Sequence, residues 1–214
     1  RVRAIDIWTV GLGGDSHVVS DQRGNFKIGP ERVVPLSVAS ASYPEIKERM
    51  NVTSETNYYL HVERPTAKLS AKEKAVYDFV KTHPICTLEE VRLGNPEVYT
   101  YRDVVKHLKD RGFLEMTGLT ATDFMHVQGF FDRFDIEAAR LGVQFMANWA
   151  HRSFDDYVSS FQEEFITRVG EEIMRKVVLD ESGDMSEGPG FNYLLRATVN
   201  GNSGSSIKTN TGLD

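Results

Sequence analysis

The segment Gly11-Leu12-Gly13-Gly14-Asp15-Ser16, set between the β-rich runs Ile7-Trp8-Thr9-Val10 and His17-Val18-Val19, constrains this chain more than any other. Glycine lets the backbone enter positive φ and come close to a ligand, so the spacing predicts a β-hairpin over 9–19 with an accessible turn. Successive N–H groups in such a turn can converge on an anion, with the Ser16 hydroxyl and the Asp15 carboxylate beside them. A tight turn without a ligand satisfies the same residues, because hairpins need positive φ whether or not they bind anything. The segment does not fit the dinucleotide fingerprint, and no Gly-Lys-Ser/Thr follows it as a P-loop requires.

With 214 residues and 40% hydrophobic content, the chain can bury one sizeable core, or a core plus a small insert. A formal charge of −6 gives no global attraction to nucleic acid or to anionic membranes. The single cysteine, Cys86, excludes an intramolecular disulfide and fits a reducing compartment, so a cytoplasmic location is expected. No apolar run reaches transmembrane length.

Residues 4–36 read as three short strands in a meander, with a second turn at Asp21-Gln22-Arg23-Gly24-Asn25. Helix is expected within 37–50, and Tyr58 to Val62 is a strand candidate. From Pro65 the pattern changes. Ser70 with Glu73, and Thr87 ahead of Glu90-Val91, mark two helix starts. Tyr99 to Arg111 is a third helix with Tyr101, Val104, Val105 and Leu108 on one face and Gly112 as its stop. Phe113 to Met116 then reads as a strand. Three helices followed by a strand resemble a winged helix-turn-helix module, a kind that commonly binds DNA. Residues 66–117 hold nine Lys or Arg against eight Asp or Glu, a surplus of one. That is little for a phosphate-tracking surface, although Lys106, Lys109 and Arg111 cluster on the third helix. Nucleic acid is therefore not the expected partner, and the alternative reading is a regulatory or interaction protein in which this module binds DNA or a protein partner.

Beyond Thr122, taken as a helix cap, the chain is mostly helical. Asp135 caps one helix, and Ser153 with Asp156 opens the longest. That helix is expected to bury Phe154, Tyr157, Val158, Phe161, Phe165, Val169, Ile173 and Val177. Gly170 within it suits a close crossing. Residues 182–190 and 200–206 read as loops and 191–199 as a strand.

Leu119-Thr120-Ala121-Thr122-Asp123 and Asp132-Arg133-Phe134-Asp135-Ile136-Glu137-Ala138-Ala139-Arg140-Leu141-Gly142 follow the glycine segment in order, with Gly29-Pro30-Glu31-Arg32 between. The ordered set resembles the hydantoinase A/5-oxoprolinase family of actin, sugar-kinase and Hsp70-like ATPases, over roughly 4–62 and 117–214. The resemblance implies an α/β (α+β) fold, part of an actin-like or ribonuclease H-like ATPase lobe formed by 1–64 and 118–214. The winged-helix-like segment 65–117 would be an insertion. It further implies ATP with Mg²⁺ in a longer protein, a small cyclic amide substrate, a missing lobe and a possible partner subunit. The other phosphate loop and the adenosine loop of such ATPases are not found, so an internal fragment is expected, inactive by itself. The family includes ketone-activating carboxylase subunits, which leaves the substrate open.

Gly11, Gly13, Gly14, Asp15 and Ser16 are the expected cofactor contacts. Asp15 and Asp123 are catalytic candidates, and Asp6 and Asp123 are metal candidates, since Mg²⁺ with ATP uses one or two carboxylates. Asp123 also has a sufficient structural role as an acid at a helix start. The six histidines show no metal-pair spacing. His17 is the one expected to face a ligand, and Cys86 is expected in a core.

Overall fold

Asp21 to Asn25 closes the first hairpin of the computed structural model, which describes residues 10–65, 68–182, 196, 197 and 199. The Asp21 carboxylate accepts from the amides of Arg23 and Asn25, and Gly24 takes a φ of +78°. This is the side-chain turn chemistry that such a tip requires. Strands β1 (Ser16–Ser20) and β2 (Phe26–Arg32) pair antiparallel around it. This turn is the second of the expected meander; the upstream arm of the hairpin expected over 9–19 lies outside the described residues except for Val10. Val10 to Asp15 form a bend and a turn leading into β1. Ile5, Asp6 and Ile7, on the expected upstream arm, lie outside the described residues.

Gly13–Val158 form one compact unit, and the described residues before Gly13 and from Ser159 onward form another. The first is a mixed α+β assembly. Its second sheet has β5 (Leu114–Gly118) in the middle, flanked by β3 (Val34–Pro35) in parallel and β4 (Tyr58–His61) antiparallel. Helices α1 (Leu36–Ser42), α2 (Ile46–Thr53), α6 (Ala121–Val127) and α7 (Ile136–Trp149) bury Leu36, Ile46, Met50, Phe124 and Val143. Small residues on α7 let α1 approach closely: a Cβ at Gly142 would lie 2.5 Å from Leu36 Cδ1.

The segment between β4 and β5 carries α3 (Ala71–Thr82), α4 (Leu88–Gly94) and α5 (Tyr101–Asp110). Full capping boxes at Ser70/Glu73 and Thr87/Glu90 start the first two, and Gly112 at φ +71° follows the third. Val76, Val80, Val91, Val105, Leu108 and Leu114 share one apolar cluster. The likeness to a winged helix stops at the three-helix core. Its antiparallel strand partner, β4, comes before the helices, and after β5 the chain enters α6 instead of a hairpin wing. The boundary expected at 117/118 falls inside β5.

Three further expectations change. The cap of α6 is Thr120, whose amide donates to Asp123 Oδ2, and Thr122 lies within the helix. Helix α8 (Phe154–Ser182) starts at Ser153 as read, but Val169, Ile173 and Val177 are exposed along it. Apolar spacing registers a face of a helix and not what covers it. Of the strand expected over 191–199, Arg196, Ala197 and Val199 are helical, and the rest, like 183–190 and 200–206, lies outside the described residues. A Cβ at Gly170 would lie 2.8 Å from Val199 Cγ1, the close crossing that the glycine suits. Among the described residues no helix is long and apolar enough to cross a membrane.

Three carboxylates tie the larger unit together. Glu73, bonded by the Ser70 amide and paired with Arg111, is held below the usual carboxylate range. Burial pushes Glu90 and Glu31 up, but Arg49 and Lys109 respectively pull them down further, leaving both lowered. A carboxyl whose folded pKa lies below its unfolded value stabilises above the unfolded value, and that share is lost as pH falls through the folded one. The urea midpoint should therefore drop as pH is lowered from about 5 toward 3. In the Glu73→Gln protein the drop should be smaller, and an equal drop would remove Glu73 from the account.

Candidate functional site

The glycine segment reaches its geometry by closing on itself. Ser16 N donates to Gly13 O at 3.1 Å, and Gly13 N donates to Ser16 Oγ at 2.8 Å. Ser16 is buried by this, so its hydroxyl serves the turn. Gly11 is exposed and belongs to the other unit. Gly14 O accepts from Thr122 N at 3.0 Å, and Asp15 O accepts from Val33 N at 3.0 Å. The Asp15 carboxylate meets Arg32 Nε at 2.8 Å. The amides of Gly14 and Asp15 have no acceptor among the described residues, and Gly14 is exposed. A Cβ on Gly14 would lie 2.6 Å from Thr122 Oγ1.

Three segments far apart in sequence therefore meet here: the glycine turn, Arg32 of Gly29-Pro30-Glu31-Arg32, and Thr122 of Leu119-Thr120-Ala121-Thr122-Asp123. Two adjacent unbonded amides, a hydroxyl and a guanidinium can together accept an anion.

Asp123 belongs to a different construction. It is fully buried, and its carboxylate accepts five hydrogen bonds. Oδ1 takes Ser37 N and Ser37 Oγ at 2.9 and 2.7 Å. Oδ2 takes Leu36 N at 3.2 Å and both Thr120 N and Thr120 Oγ1 at 2.9 Å. Pro35, the residue before α1, offers no side-chain cap. One carboxylate thus caps α1 and α6 together, each helix start placing its positive end against it. Burial pushes this carboxyl up in pKa, with the Ser37 and Thr120 bonds opposing. Asp6, the other metal candidate, lies outside the described residues. No group of three or more His, Cys, Asp or Glu among the described residues could hold a metal ion.

His17 is buried in a polar chain. Its Nε2 is 3.0 Å from Asn57 Oδ1, and its Nδ1 is 3.4 Å from Glu31, which also pairs with Lys109 of α5. Gly118 makes room for this, since a Cβ there would lie 2.6 Å from Asn57 Oδ1 and 3.0 Å from His17 Nε2. Asn57 and Gly118 carry no motif of their own and escaped the sequence reading, while Glu31 was read only as part of Gly29-Pro30-Glu31-Arg32. The cations that clustered on α5 are answered one by one: Lys106 by Asp110, Lys109 by Glu31, and Arg111 by Glu73. Burial pushes the Cys86 thiol up to about 12, leaving it a core residue with no thiolate at neutral pH.

Asp15, His17 and Arg32 also border a groove of about 1110 Å³ whose far wall is α5. No protein-family model, curated protein or solved structure matches the chain.

Proposed function

We propose that the Gly13–Ser16 turn binds phosphate, as one wall of the nucleotide site of an ATP-dependent enzyme similar to the hydantoinase A/5-oxoprolinase family. The observation that carries this is the pair of unbonded amides, Gly14 and Asp15, on an exposed turn where Arg32 and Thr122 converge. Phosphate oxygens would take the two amides and the Thr122 hydroxyl, and Arg32 would supply positive charge. In such an enzyme ATP phosphorylates the amide oxygen of a cyclic substrate and leaves the ring carbon open to water. The protein's share of that transfer is positioning and electrostatic stabilisation. The ordered motifs support the actin-like lobe, and their meeting in space supports it further. The pairing of Lys106, Lys109 and Arg111 with carboxylates speaks for a packing or substrate-facing role of the three-helix segment over a nucleic-acid one.

Two or three charge-assisted hydrogen bonds of about 1.5–3 kcal/mol each correspond to roughly millimolar binding once ordering is subtracted. Titration of the 214-residue chain with Mg-ATP or tripolyphosphate, followed by amide NMR, should shift Gly14 and Asp15 first, with an affinity of about that order. Gly14→Val, whose Cβ crowds Thr122 Oγ1, should remove these shifts. Shifts centred elsewhere, or binding indifferent to Gly14→Val, would move the phosphate to another part of the chain.

A further inference from the structure

The glycine turn carries an anion of its own. Asp15 Oδ2 meets Arg32 Nε at 2.8 Å, and Oδ1 folds back over the turn, where a Cβ on Gly13 would lie 3.2 Å from it. The main chain beneath is pinned, because Ser16 N donates to Gly13 O and Val33 N donates to Asp15 O. The carboxylate therefore starts from a fixed point. Arg32 has no second acidic partner among the described residues, and Asp15 has no second basic one. Both side chains reach solvent, Asp15 39% and Arg32 76% exposed, and a pair so exposed adds little to stability. Its consequence lies in recognition. With the pair closed, the guanidinium at the turn is already answered, and the unbonded amides of Gly14 and Asp15 sit beside a negative charge.

We propose, resting on the phosphate reading of the turn, that Asp15 sets its specificity as a built-in competitor for Arg32: free inorganic phosphate is refused, and a phosphate group joined to a body held elsewhere is accepted. Free phosphate has only this turn to bind, so it must open the Asp15–Arg32 pair and lie beside the displaced carboxylate. A like charge at about 4 Å costs roughly fivefold in affinity even at the dielectric of water, and a missing charge-assisted bond to Arg32 costs about tenfold or more. A tethered phosphate meets the same opposition but draws on contacts made by the rest of its molecule. Asp15 thus selects by acting through Arg32.

Inorganic phosphate is the probe, titrated without divalent cations into the 214-residue chain at about 0.15 M salt and followed at the Gly14 amide by NMR. Asp15→Asn, and Asp15→Ala equally, should bind phosphate about tenfold more tightly than the parent chain, with circular dichroism unaltered. In the Arg32→Gln background Asp15→Asn should gain about threefold at most, because no guanidinium is left to compete for and salt screens the repulsion that remains. Without ligand, the Arg32 Nε–H resonance should move in Asp15→Asn, as loss of the 2.8 Å contact requires. Equal phosphate affinity in the parent and Asp15→Asn, the whole gain kept in Arg32→Gln, or an unmoved Arg32 resonance would each overturn the competitor role. If Mg-ATP still shifts Gly14 in the parent chain, that failure belongs to Asp15 alone. If neither ligand shifts Gly14 in any variant, the phosphate reading of the turn falls and the role of Asp15 falls with it.

Discussion

Asp123→Ala should destabilise the Gly13–Val158 unit by about 4 kcal/mol or more, the range reserved for broken buried networks. The substitution withdraws the acceptor that three amides and two hydroxyls have among the described residues, at a position shut off from water. Each stranded buried donor costs about 1–3 kcal/mol, reduced where water or relaxation supplies a substitute. The loss spreads to two helices, because α1 has no cap of its own behind Pro35 and α6 relies on the same carboxylate. Asp123→Asn keeps the shape but turns an NH₂ toward some of these donors, so it should recover only part of the loss. Urea unfolding is the measurement, and a change under about 1 kcal/mol in Asp123→Ala would mean that the two helix starts are satisfied otherwise.

Gly118→Val should be the next most damaging change, at roughly 3 kcal/mol, from overpacking together with a broken buried hydrogen bond. The first added carbon would already stand 2.6 Å from Asn57 Oδ1 and 3.0 Å from His17 Nε2. Both side chains would have to leave their mutual bond. His17 sits on β1 opposite Thr120, so the displacement reaches the strand that leads out of the glycine turn. The His17 ring signals in NMR should move in Gly118→Val and in Asn57→Ala alike. If Asn57→Ala moves them and Gly118→Val does not, the glycine is not what keeps this space open.

Much of the fold was legible where one local rule decides the outcome. Ser70/Glu73 and Thr87/Glu90 announced their helices, Asp21 to Asn25 its turn, and Tyr58 to His61 its strand, since each depends on neighbours within a few residues. The meander reading joined β1 to β2 across the turn at 21–25, but the shift in their register between Ser16 and Val18 was not legible. Register is settled by where Phe26 and Ile28 bury their side chains, and that is a tertiary matter. Asp123 shows the limit most clearly. Its place after Thr120 reveals a helix start, but nothing near Leu36 and Ser37 tells that their amides will be capped from 86 or 87 residues away. Arg32 and Thr122 could be read as parts of motifs, while their meeting at Asp15 and Gly14 required the folded chain.

The middle position of β5 bears on how this chain could have been assembled. Leu114 belongs to the apolar cluster of the three helices, while Thr117 donates to Val34 O and pairs with Tyr58. A module hung between two linkers is a cassette: it can be lost, doubled or exchanged and its host closes over the gap. Here the strand that closes the three-helix segment is also the middle strand of the sheet, so cutting out the whole segment would leave β3 and β4 facing each other across an empty lane. The three-helix segment and the sheet share that strand, and any shorter form of this protein would have to keep or rebuild it.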